Sequence, residues 1–105
     1  MANPQFVGEQ DGIPERELKA RLIARLGRRA EVRAAYLARV AYPGQSGVGV
    51  ALCLRAHPGL EKQLVADLGE VFSGMFSHRE HLDILFLNEG MEEELRILCR
   101  PFFSL

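Results

Sequence analysis

At 105 residues, 48% hydrophobic and 26% charged, the chain has the composition of one ordinary globular domain with a core of useful size, and it is too short for two. A formal net charge of -1 excludes a generally basic nucleic-acid binder. No run approaches the ~18 apolar residues of a membrane span and no apolar leader core opens the chain, so a membrane role is not expected. Cys53 and Cys99 stand outside any C-x-x-C pattern, and a cytoplasmic protein with two buried thiols is expected.

Residues 1–12 are polar, with Asn3-Pro4 and Asp11-Gly12, and read as a flexible lead-in to a domain over 13–105. Pro14 opens a first helix to about Arg28, where a missing N–H costs nothing, and Leu18, Leu22 and Leu26 line one face. Val32, Ala34, Tyr36, Ala38 and Val40 alternate as a strand. Pro43-Gly44-Gln45-Ser46-Gly47 turns the chain, and Val48, Val50, Leu52 and Leu54 alternate again. A connection this short makes the two strands antiparallel. The alternation puts Tyr36 and Tyr42 on one face with Val32 and Val40.

His57-Pro58-Gly59 breaks the second strand and leads to a helix ending near Phe76, with Leu60, Leu64, Leu68, Val71, Phe72 and Phe76 on a wide apolar face. Residues 77–80 read as a loop. A third strand over Leu82 to Leu87 is apolar on both parities, which suits a central strand or one covered on both faces. Asn88-Glu89-Gly90 turns into a last helix from Met91 to Cys99, and Pro101 ends it. The pattern predicts a single small α/β (α+β) domain in the order α-β-β-α-β-α, with helices packed on a three-stranded mixed sheet. Strands two and three are expected to run parallel, with strand one preferred between them.

Several features together resemble a known family. These are Pro14 with Leu18 and Leu22, the stretch Glu31-Val32-Arg33-Ala34-Ala35-Tyr36-Leu37, the strand Leu82-Asp83-Ile84-Leu85-Phe86-Leu87, and the ending Pro101-Phe102-Phe103. They resemble the C-terminal domain of the bacterial enhanced serine sensitivity protein SseB, over about residues 14 to 103. The resemblance implies an intracellular bacterial domain, and it carries over no active-site residues and no cofactor.

Charge is unevenly distributed. From Glu15 to Arg39 there are eight Lys or Arg against three Glu, and from Glu61 to Glu94 two basic residues against nine acidic. Such bipolarity suits self-complementary association, with Arg21, Arg25 and Arg28 on one helical face as the candidate surface. Nucleic acid is not the expected partner, because no aromatic residues are interleaved to stack bases. Phe102 and Phe103 are candidates either for the core or for a docking anchor. Glu92, Glu93 and Glu94 fit the favourable N-terminus of the last helix.

The chemistry-bearing residues are sparse. His78 and His81 form an H-x-x-H pair, but zinc needs three or four ligands and only Asp83 is near, so no metal or cofactor is expected. His57, His78, His81, Asp83 and Cys99 would do acid–base work only if folding brought them into one cleft. The expected function is a non-enzymatic protein-interaction or regulatory module, binding a protein partner or itself as a homodimer. The alternative is a small ligand-binding regulator or enzyme using the His/Asp cleft.

Overall fold

A computed structural model describes residues 5–76 and 81–105. Strand β1 is Gln5–Glu9, helix α1 Ile13–Leu26, β2 Val32–Ala41, β3 Gly49–Ala56, α2 Glu61–Met75, β4 Asp83–Phe86, α3 Glu89–Leu98 and β5 Phe103–Ser104. The domain is thus mixed α and β, with three helices on a five-stranded sheet among the described residues.

The central strand is β2. It pairs antiparallel with β3 along one edge, from Val32↔Ala56 to Val40↔Gly49. Its other edge is divided between the two ends of the chain. β1 takes the half around Ala38 to Ala41, and β5 takes Ala34 and Ala35. The backbone continues both additions, with Gln10 N–H on the Leu37 carbonyl at 3.1 Å and Phe102 N–H on the Ala35 carbonyl at 2.9 Å. β4 lies outside β3 and parallel to it, from Ala51↔Asp83 to Leu54↔Phe86.

The structure differs from the expected fold at several points. The sheet has five strands rather than three, because Gln5–Glu9 is a paired strand and not a loose lead-in, and Phe103–Ser104 adds another. β2 does not separate β3 from β4, since its second edge is already filled by β1 and β5. The parallel relation holds, but β4 is an edge strand, and its side chains still reach both layers, Leu85 on one side and Ile84 and Phe86 on the other. Finally, Val32 does not share the face of Tyr36. The register shifts between Val32 and Ala34, and the extra residue of a bulge flips Val32 to the opposite layer.

Two cores result. α1 and α2 cover one face, where Leu18, Leu22, Leu26, Leu64 and Leu68 meet Leu37, Leu52 and Leu54. α3 covers the other, over Ala34, Tyr36, Ala38, Val40, Ala51 and Cys53. Each buried leucine contributes about 1.5–3 kcal/mol of transfer energy, so the first face holds most of the hydrophobic stabilisation. Phe102 and Phe103, half-buried, pack against that same layer. α3 starts two residues before Met91, because the Asn88 side chain accepts the Met91 N–H at 2.9 Å and caps the helix. No helix among the described residues is long and apolar enough to cross a membrane.

Candidate functional site

Ala34, Ala38 and Ala51 are small residues of the layer that α3 covers, and a glutamate of that helix is buried beside them. Glu92 is only 8% exposed. It shares the inward stripe of α3 with Leu95 and Cys99, three and seven residues on, so its carboxylate faces the sheet.

A carboxylate in such a place must be matched, because burying an unpaired charge costs several kcal/mol. Three side chains from three elements match it. The Tyr36 hydroxyl of β2 donates to Glu92 Oε2 at 2.7 Å, and Arg55 Nε of β3 lies 3.0 Å from Oε1. Arg96, one turn along α3, places Nη2 3.4 Å from Oε2 and donates from Nε to the Tyr36 oxygen at 3.0 Å. Burial, reinforced by the adjacent Glu92 carboxylate, raises the Tyr36 hydroxyl above the ordinary tyrosine range. It therefore stays a neutral donor. Arg96 is held even more firmly cationic by its bond to Tyr36.

The network opens onto a surface cleft. A cavity of about 320 Å³ is walled by Arg33, Arg55, Glu92, Arg96 and the Ser104–Leu105 end of the chain. A second of about 250 Å³ adjoins it through Arg33 and Arg55 and reaches His57. Arg33 makes no side-chain hydrogen bond among the described residues.

A smaller polar group lies at the opposite end of β3. Asp83 accepts from the Tyr42 hydroxyl at 2.6 Å through Oδ2, and Oδ1 lies 2.5 Å from His81 Nε2. They edge a cavity of about 550 Å³ with Gln45 and Ser46 of the β2–β3 turn, where Gly44 and Gly47 take φ of +82° and +86°. Burial, with the Asp83 carboxylate beside it, pushes the Tyr42 hydroxyl up to about 12, so it is a donor and not a base.

The folding thus brings together part of the polar set that the sequence singles out. His81 and Asp83 touch. His57 belongs to the arginine cleft instead, because it follows β3 at the far end of the strand. Cys99 is buried under α3 with Sγ 3.5 Å from the Leu37 carbonyl, and His78 lies outside the described residues. Both thiols are free, and burial pushes Cys53 up to about 12 and Cys99 to about 11, which leaves neither as a nucleophile near neutrality. Among the described residues no group of three or more His, Cys, Asp or Glu is gathered to hold a metal ion.

The helical arginines are also placed. Arg25 is paired with Asp67 and, at 3.3 Å, with Glu70 of α2. Arg29 joins Asp67 at 3.2 Å, and Arg21 pairs with Glu17 at 3.0 Å. Arg28 has no ion pair among the described residues. Much of the charge segregation seen in the sequence is therefore neutralised within the chain.

The family model of the SseB protein C-terminal domain matches residues 12–104, from the turn before α1 through β5. The chain belongs to that family. No curated protein and no solved structure matches it. In this SseB C-terminal domain the matched span holds every member of the Tyr36–Glu92–Arg55–Arg96 network.

That network has no motif in the sequence. Its signal was Glu92 at an inward position of the last helix, i−3 from Leu95, while a charge at a helix N-terminus offered a simpler account.

Proposed function

We propose that this domain is a non-enzymatic recognition module of the bacterial cytoplasm that binds a protein partner through the Arg33–Arg55–Arg96 cleft. The observation that supports it is the buried Glu92, which ties Arg55 and Arg96 to the sheet and fixes their guanidinium groups before any partner arrives. A flexible arginine loses rotamer freedom on binding, and one already held loses less. Charge at the rim of an interface then favours orientation and encounter more than raw affinity.

Association of the chain with itself is the homodimeric form of the same reading. Arg25 is not available for it without breaking the pair with Asp67, so Arg28 is the helical arginine to test. Light scattering across concentration, for the protein alone and with partners captured from a bacterial extract, is the decisive measurement. A chain that stays monomeric at high micromolar concentration and retains no protein overturns the reading. Arg28→Glu should weaken any self-association without altering the melting temperature.

A second reading has one observation in its favour, the contact of Asp83 with both His81 and Tyr42 beside an open cavity. A carboxylate orienting a histidine is the arrangement general acid–base chemistry uses. An activity found in the wild type and unchanged in His81→Ala would remove this alternative.

A further inference from the structure

We infer, building on the recognition reading above, that the arginine cleft binds oxyanion groups carried on an acidic segment of the partner protein. Three observations lead there. First, the side-chain charges lining the larger cavity are Arg33, Arg55 and Arg96 against Glu92, three minus one, which leaves +2. The side chains alone therefore make the cleft cationic, which favours an anionic group.

Second, the guanidinium donors are only partly used. A guanidinium offers five N–H groups in a planar fork. Arg55 pairs its Nε with Glu92 as an ion pair and donates from Nη1 to the Leu87 carbonyl at 3.4 Å. Arg96 uses Nε on Tyr36 and Nη2 on Glu92. The remaining donors of both, and all of those on Arg33, are unspent among the described residues. Planar forks match carboxylate and phosphoryl oxygens two at a time.

Third, the shape is that of a receiving surface for a chain. The two cavities, about 320 and 250 Å³, share Arg33 and Arg55 in their walls, so together they make an elongated charged bay on either side of those arginines. Small-molecule sites are mostly apolar and enclose their ligand, whereas this bay is charged and open. Neighbouring acidic side chains of an extended segment enter it without needing to be enclosed.

Glu92 acts as a positioning residue. It holds Arg55 and Arg96 from behind, and its charge keeps the empty cleft from carrying three unneutralised cations. The desolvation of Glu92 is settled on folding, not on binding, so the partner meets donors already oriented.

The experiment is fluorescence anisotropy of the full chain with a labelled Gly-Asp-Asp-Gly-Asp-Asp peptide. The same peptide with phosphoserine for Asp, and with Lys for Asp, are the comparison arms. The acidic peptides should bind and the lysine peptide should not, and added salt should weaken binding. Arg33→Gln, at an exposed position, should lower the affinity about tenfold, and Arg33→Gln with Arg96→Gln further. The stronger of the two acidic arms identifies carboxylate or phosphoryl as the source of the oxyanions.

Arginine Nε–Hε resonances give a readout that needs no variant. Peptide should shift those of Arg33, Arg55 and Arg96. Shifts confined to Arg21 and Arg28, equal binding of the lysine peptide, or unchanged affinity in the double variant would overturn the proposal. If the acidic peptides fail while light scattering still records a protein complex that Arg33→Gln weakens, the oxyanion site is wrong and the recognition cleft stands.

Discussion

The two faces of the sheet solve the same problem with opposite materials. Under α1 and α2 the sheet presents Leu37, Leu52 and Leu54, and two helices of 14 and 15 residues meet them with leucine. Charges stay at the margin of that layer, where Arg25 and Arg29 clamp Asp67 across the helix pair. Under α3 the sheet presents alanines, a tyrosine and a cysteine, and one helix of 10 residues covers them. A carboxylate sits inside that layer. The first face is stabilised by apolar area, and the second depends on every polar partner being present. The consequence is that the face with less hydrophobic stabilisation is the one that organises a charged surface site.

Substitutions should separate the two faces by mechanism. Leu68→Ala, at a fully buried position on the α2 side, should cost about 2–5 kcal/mol through lost transfer energy and a cavity. Urea unfolding will show it as a lower midpoint at unchanged slope. Glu92→Ala should cost about 2–4 kcal/mol for a different reason, because Tyr36 and Arg55 lose the group that satisfies them. Glu92→Met should recover part of that loss, as apolar replacement of a buried charge often does. No loss in Glu92→Ala would mean that the network contributes nothing to the α3 face.

Alkaline pH should probe the second face selectively. Cys53, Cys99 and Tyr36 all belong to the α3 layer, and all have raised values through burial. A group with a raised value keeps its proton in the fold while the unfolded chain loses its own. Stability is therefore fully retained below about pH 9 and falls as pH rises toward 12, the value to which Cys53 is pushed. Amide exchange in α3 should accelerate in that window before exchange in α1 or α2. Simultaneous loss of protection on both faces would contradict the separation.

Much of this contrast was legible in the sequence, and the illegible part has a common cause. The alternations from Ala34 to Val40 and over Gly49–Ala56, and the leucine spacing of α1 and α2, are local periodicities that fold as written, and only Val32 is displaced, by the bulge beside it. β1 is five residues with a register shift between Phe6 and Gly8, and β5 is two residues. Neither carries a period long enough to read, and both are strands because β2 has an open edge. Sheet order fails for the same reason, since the edge that β4 was expected to take is occupied from the two ends of the chain. Glu92 was visible as an acid near a helix start, and only the packed sheet shows that it points inward. Of the polar set, His81 and Asp83, two residues apart, touch, while the length of β3 separates His57 from them.

Tyr36→Phe should cost about 1 kcal/mol, less than Glu92→Ala, because both arginines remain to satisfy the carboxylate. The smallest effect, and the one that discriminates best, is the response to salt. The Asp67 carboxylate is 21% exposed and the Arg25 side chain 34%, so solvent ions reach the clamp. The Glu92 side chain is 11% exposed and lies between a tyrosine and two arginines. The Debye length shortens from about 10 Å at 0.1 M to about 3 Å at 1 M ionic strength, which screens exposed charges and leaves buried ones nearly unaffected. Asp67→Asn should therefore lower the melting temperature slightly at low salt and hardly at all at 1 M. Glu92→Gln should lower it by a similar amount at both. If the two variants respond alike to salt, the clamp and the buried network are the same kind of interaction, and the distinction between the faces reduces to leucine content alone.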